Sequence, residues 1–222
     1  MGKINPQNTA PTSHSATDDA LQALVSALDA PDVEAAFGRQ IPRPEADTWV
    51  CRDYAAAFPT EGTPPGWMVY SLPFAAMRRS AWEANRFYTD AWGSEDTEWG
   101  CRAVRRGSRP RYVPAATVMH SHNYSLRQLY GRRFIEGEAD AFIHGDTAMF
   151  AAVARRTLAS AVRDLAACIR HRDWRAIFVI PVRRLVYHWA YLKGRRLGEH
   201  RIRSKDPDAS RGQRTVLERY QA

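Results

Sequence analysis

The sequence predicts an α/β protein that ends in a run of basic, amphipathic helices. Short apolar or alternating runs at 33–37, 67–72, 111–113 and 117–119 read as strands. They alternate with capped segments whose apolar residues recur at helical spacing. Of the 222 residues, 45% are hydrophobic and 25% charged, the balance of a folded globular chain, which excludes disordered, collagen-like and disulfide-stapled classes. The charge is uneven. Residues 1–150 hold 15 Lys and Arg against 18 Asp and Glu, while residues 151–222 hold 17 against 6, so the net charge of +8 comes entirely from the last third. Such asymmetry predicts a basic segment for an anionic surface.

The elements follow in chain order. Residues 1–16 are polar and turn-forming and read as a disordered lead. Thr17 is placed to cap a helix with Leu21, Leu24, Val25 and Leu28 on one stripe, stopped by Pro31. Val33–Phe37 alternates and reads as a strand ending at Gly38, with 38–44 as a turn-rich loop. The Gly- and Pro-rich stretch 60–66 reads as loop, and Trp67–Leu72 as a buried strand. Ser80-Ala-Trp-Glu83 has the letters of a capping box, and Ser94 opens a helix closed by Gly107. Two short strands flank Pro114, and Ser125-Leu-Arg-Gln128 is a second capping box opening a long helix. Beyond 150 the chain reads as helical. Val182, Leu185, Val186, Trp189 and Leu192 recur at helical spacing among Arg183, Arg184, Lys193, Arg195 and Arg196, and the apolar run 176–182 is too short to span a bilayer. Arginines beside Trp and Tyr suit a helix lying among headgroups. A helix packed on the domain with solvated arginines fits the same pattern. Three cysteines, Cys51, Cys101 and Cys168, form no C-x-x-C and predict a reducing compartment, and residues near Met1 lack the apolar run of a secretory leader.

The residues with most chemistry lie between Trp92 and Tyr124. Glu95, Asp96 and Glu98 crowd a helix start, and His120 and His122 follow a strand end. Acids at a helix N-terminus are favoured by the macrodipole whatever else they do. An H-x-H places two imidazoles on one face, yet a zinc site needs three or four ligands.

Four blocks in order carry a resemblance: G-R-Q-I-P-R-P from Gly38, R-R-S-A-W-E from Arg78, S-E-D-T-E-W-G-x-R-x-x-x-x-G from Ser94, and Y-V-P-x-A-x-V-x-H-S-H-N-Y-S from Tyr112. Together they resemble the second half of a family 2 glycosyltransferase of GT-A fold, in the manner of bacterial rhamnosyltransferase-like members that build surface polysaccharides. The resemblance covers about residues 17–145. It implies a partial GT-A (nucleotide-diphospho-sugar transferase-like) domain at 17–148 that lacks the N-terminal nucleotide-binding half, followed by an amphipathic helical appendage at 149–200 and a polar tail at 201–222.

The same resemblance implies roles. The chain is expected to be a hexosyltransferase that inverts the anomeric centre, moving a hexose from a nucleotide-sugar to a glycan or lipid-linked acceptor. Glu95-Asp96 matches the family's E-D pair, whose Asp is the general base, and a helix N-terminus predicts that Asp96 stays ionised. His120 or His122 matches the histidine that completes the shell of Mg2+ or Mn2+ on the donor diphosphate, His120 being first choice. Trp99, Tyr124, Gln128, Arg132 and Arg133 are expected on the acceptor or its diphosphate, with a solvated helix face as the bland reading of the last three. Two departures stand out. Residues 206–208 hold the sequence's D-x-D, in the polar tail and after no strand; the donor half and its metal are therefore expected from roughly 90–100 residues upstream or from a separately encoded chain. Leu72-Pro73-Phe74 stands where relatives carry small polar residues. The resemblance thus predicts a truncated protein, cytoplasmic and peripheral on the inner membrane face. A non-catalytic protein bound to anionic membrane stays open as a second reading. Nucleic acid is not expected as a partner, since no recognition motif accompanies the arginines.

Overall fold

The computed structural model describes residues 18–88, 93–145 and 150–204. Thr17, the lead at 1–16, Trp92 and the D-x-D of the tail lie outside them.

Three strands make the sheet: β1 (Ala35–Ile41), β2 (Ala75–Met77) and β3 (Arg111–Met119). The order is β2-β1-β3, with β2 antiparallel and β3 parallel to β1. A parallel neighbour demands a long crossover. Residues 42–110 supply it, carrying α2 (Thr48–Ala57), α3 (Arg79–Ala84) and α4 (Glu95–Arg105). β1 is buried on both faces. Ala36 meets Leu24 of α1 (Asp18–Ser26) and Ala116 on one side. Ala35 and Phe37 meet Tyr70, Trp99 and Ala103 on the other. A strand covered on both faces needs no polar alternation, so the short pattern at 33–37 under-reads it.

Several expectations give way here. Gly38 lies inside β1 instead of ending it, because a Cβ there would fall 2.3 Å from the Ala116 carbonyl oxygen and 2.5 Å from Phe74 Cδ1. Glycine marks a close approach of backbones, not a turn. The irregularity in pairing beside it, between Gly38 and Arg39, also lets the two runs around Pro114 join as one strand. Trp67–Leu72 is not a strand. It is turn and extended chain leading into a short 3-10 turn at Leu72–Phe74, and β2 follows it. Its Met68, Tyr70 and Leu72 pack on the Trp99 cluster without joining the sheet, while Trp67 is exposed. α3 starts at Arg79 with no side-chain cap, so Ser80 sits within the helix. On α1 only Leu24 of the expected stripe is fully buried; Leu21 and Val25 are half exposed and Ala20 takes the inner position. The capping box at Ser125 forms as read, with both reciprocal hydrogen bonds, and opens α5 (Leu126–His144), closed by Gly145 in the left-handed conformation.

Two further helices follow, α6 (Phe150–His171) and α7 (Trp174–Ser204). α7 runs unbroken through Pro181 and ends four residues beyond the boundary expected at 200. It lies against α5 as closely as backbones allow. A Cβ on Gly194 would fall 1.9 Å from the Phe134 carbonyl oxygen, and one on Gly137 would fall 2.1 Å from that of Tyr191. Arg184 bridges Asp53 of α2 at 2.7 Å and also pairs with Asp164 of α6, which pairs in turn with Arg52. The segment expected as an appendage therefore supplies a wall to the rest of the chain. Among the described residues no helix is long and apolar enough to cross a membrane.

Candidate functional site

A cavity of about 420 Å3 opens between the end of the sheet, α2, the start of α4, α5 and α7. Asp96, His120, His122, Tyr124, Arg132 and Arg133 all line it. Residues up to 37 apart in sequence thus converge because β1 and β3 end at the same edge and α4 and α5 both begin there.

Asp96 is the second residue of α4. Its Oδ1 accepts from the backbone N–H of Thr97 at 2.7 Å and its Oδ2 from that of Leu72 at 3.3 Å. The carboxylate is therefore held by amides on two sides. Burial nevertheless pushes its pKa up, against those two amides. The helix start predicts availability at the expense of basic strength; here desolvation outweighs the Thr97 and Leu72 amides and shifts Asp96 the other way, toward a stronger base. Leu72 contributes through its N–H, which any residue but proline would supply there. The departure at 72–74 thus leaves this contact intact.

His120 follows β3 directly, its N–H donating to the Ile41 carbonyl at 2.9 Å. Gln40, buried on β1, donates through Nε2 to Ser71 Oγ at 2.8 Å, and its Oε1 accepts from His120 Nδ1 at 2.8 Å. That assignment puts the His120 proton on Nδ1 and leaves Nε2 as an acceptor. Nε2 of His122 stands 3.1 Å from it, the rings meeting edge to face at 4.8 Å. Burial lowers the pKa of both; His122 and Arg43 add to this at His120, and Arg43 and Arg132 at His122. Both rings are neutral at pH 7, the form that binds metals. A divalent cation fits here as far as two ligands go. Gln40 supplies the outer hydrogen bond that orients a ligating imidazole. No group of three His, Cys, Asp or Glu suited to a metal occurs among the described residues.

The arginines divide by partner. Glu136 takes Arg132 Nε at 2.8 Å and also pairs with Arg133, and Arg132 donates to the Gly93 carbonyl at 2.9 Å. Arg133 stacks on Tyr187 at 3.9 Å. Arg183 is placed differently: it lies over the Trp49 ring at 4.7 Å and donates to the Tyr124 carbonyl at 2.7 Å, while its Nε is buried without a partner. Burial lowers its pKa. A desolvated cation held by an aromatic face and a carbonyl is suited to an anionic ligand.

Three expected site residues are placed elsewhere or otherwise used. Trp99 is fully buried, its Nε1–H donating to the Asn85 carbonyl at 2.5 Å, and it packs on Tyr70 at 4.8 Å; it is core and meets no ligand. Gln128 spends its side chain on the Ser125 cap. Glu95 starts α4 but does not line the cavity, in contrast to its neighbour Asp96. Tyr124 stacks on His122 at 5.4 Å. Arg183 and Arg184, whose spacing suits either a headgroup helix or one packed on the domain with solvated arginines, face the cavity, and Arg195 is buried. α2 lies outside the four sequence blocks, yet its Trp49, Asp53 and Tyr54 line the same space. Asp47 preceding Thr48 was the available signal for that helix.

The chain is similar to a rhamnosyltransferase. The O-antigen chain rhamnosyltransferase WbaN of Salmonella anatum is 31% identical over 132 residues, 54% of this chain and 41% of that protein. The chain spans about two fifths of that relative's length. No protein-family model and no solved structure matches.

Proposed function

We propose that the cavity is the acceptor side of a glycosyltransferase of family 2 type that transfers a hexose, with inversion, in surface-polysaccharide synthesis. The observation that carries this is Asp96: a half-buried carboxylate of raised basicity, held by two amides at the wall of a cavity lined by the segment resembling such enzymes together with α6 and α7. In the reaction the acceptor hydroxyl oxygen bonds to the anomeric carbon as its proton passes to Asp96. The bond from that carbon to the donor's diphosphate oxygen breaks on the opposite face, and the nucleoside diphosphate leaves with the electron pair. Arg183 stands where a phosphate of donor or lipid carrier would meet a cation. His120 and His122 would hold Mg2+ or Mn2+, which neutralises charge on the leaving diphosphate when bound. The described residues contain no D-x-D, so the proposal includes a donor-binding half outside them or on a separately encoded chain.

Genetic replacement in the producing organism tests this with every partner present. Deleting the gene should abolish or shorten the surface glycan, and wild-type chain should restore it. Asp96→Asn, expressed at the same level, should not. Full restoration by Asp96→Asn would remove sugar transfer from consideration.

A further inference from the structure

α6 and α7 form a helical hairpin through Arg172 and Asp173. Its inner seam holds Ser160, Asp164 and Cys168 of α6 against His188, Arg184 and Ile180 of α7: Ser160 Oγ lies 3.1 Å from His188 Nε2, Asp164 pairs with Arg184, and Cys168 packs on Ile180. Outside that seam a second set of apolar residues faces solvent. On α7 they are Phe178, Val182, Leu185 and Trp189, a stripe at helical spacing, and on α6 Leu158 and Val162 begin another. Phe178 is 84% exposed and Leu158 69%, values that exclude packing against the described residues. Isolated exposed apolar residues are ordinary, but stripes on two adjoining helices mark a surface that is covered by something.

Charge identifies what covers it. Residues 150–204 hold 13 Lys and Arg against three acids. Those acids are committed: Asp164 is buried between Arg52 and Arg184, Asp173 accepts from Thr48 Oγ1 at 2.7 Å, and Glu199 lies within reach of Arg195 and Arg203 at 3.9 Å each. The exposed cations include Arg155, Arg163 and Arg170 on α6 and Arg175, Lys193 and Arg196 on α7. A second copy of the chain would bring like charge against like. A duplex or single strand would meet the cations but leave Phe178 and Leu185 in water. An anionic lipid surface satisfies both, and with no spanning helix among the described residues the contact lies in the plane of the interface. We infer that the outer face of the α6–α7 hairpin docks on anionic membrane, with the Phe178–Trp189 stripe at the boundary of headgroups and acyl chains and the flanking cations on lipid phosphates.

Co-sedimentation of the full chain with vesicles tests this, phosphatidylcholine alone against phosphatidylcholine mixed with phosphatidylglycerol. Wild type should pellet with the mixed vesicles and be released by high salt. Phe178→Glu with Leu185→Glu should lower partition by about tenfold or more, since two apolar side chains lose their place in the interface; both positions are exposed, and an unchanged circular dichroism spectrum confirms the fold. Arg175→Gln, Lys193→Gln and Arg196→Gln together should erase the preference for phosphatidylglycerol. Asp96→Asn should bind vesicles as wild type does, which separates docking from sugar transfer. The inference is overturned if wild type ignores both vesicles. It also fails if the chain is a dimer that the Phe178 and Leu185 changes disperse without altering vesicle binding. Salt-sensitive binding to oligonucleotides in place of vesicles would equally reject it.

Discussion

Asp96 and Asp164 show how the same side chain is given two tasks by its partners. Asp96 receives two amide donors and no guanidinium at bonding distance, and burial leaves it more basic. Asp164 is fully buried between Arg52 and Arg184 and joins α2, α6 and α7 at the cavity wall. Removing its charge leaves two guanidinium groups with Asp53 as their one remaining carboxylate partner. Asp164→Asn is predicted to destabilise the fold by about 3–5 kcal/mol, the range for breaking a buried ion pair from one side, readable from urea unfolding. His188 gives a pH signature. Burial and the nearby Arg133, Arg184 and Arg156 hold its pKa down to about 4. The unfolded chain, with an ordinary histidine near 6.5, then binds more protons than the folded one between those values. Stability should fall as pH drops from about 6.5 to about 4. His188→Gln should lack that part of the slope in melting curves recorded across the window. At this scale the sequence exposed the chemical types but not their burial. Asp96 and His120 were visible as candidates from the blocks around them. Trp99 is core, which its letters alone do not show, because an aromatic beside an acidic pair looks the same in sequence whether it turns to a ligand or into the core.

Among elements, the α5–α7 contact depends on missing side chains. Gly194 and Gly198 of α7 lie four residues apart and meet Phe134 and Glu138 of α5 at backbone distance. Gly194→Val is expected to push the helices apart and cost about 1–3 kcal/mol or more, as overpacking of a closed contact does. Gly66→Ala, at a position with open space around it, is the control and should stay within about 0.5 kcal/mol. Thermal melts of the two variants decide the matter. Elements with local signals were legible: the Ser125 capping box, the helix from Ser94 to Gly107 and the long C-terminal helices. Those set by tertiary context were not. β2 is three residues of Ala and Met with no strand pattern of its own, and it pairs because the 3-10 turn at Leu72–Phe74 delivers it to β1. Gly38 carries the letter of a turn, but the crowding that requires it comes from Ala116 and Phe74, 78 and 36 residues away.

Over the whole molecule, the cavity is assembled from a strand edge, the starts of α4 and α5, α2 and the middle of α7. Alternation and capping predict such pieces one at a time and carry no information on which of them share a wall. For that reason the half of the site formed by β3, α4 and α5 could be read from sequence blocks, while Trp49, Asp53 and Arg183 could not. The charge asymmetry takes on a finer meaning as well. The last third divides its cations between an inner set, Arg183, Arg184 and Arg195, and an outer set beside exposed apolar residues. For the proposed transfer, Asp96 would set the pH dependence: its raised pKa predicts a rate that falls as pH drops through a value above that of an ordinary aspartate. The most direct test is the rate of hexose transfer from nucleotide-sugar to acceptor in membranes of the producing organism, with wild-type chain or Asp96→Asn at equal abundance. A base at that position predicts a drop of about 10²–10⁴-fold. Equal rates for the two would contradict the assignment of Asp96 and, with it, the reading of the cavity as a transfer site.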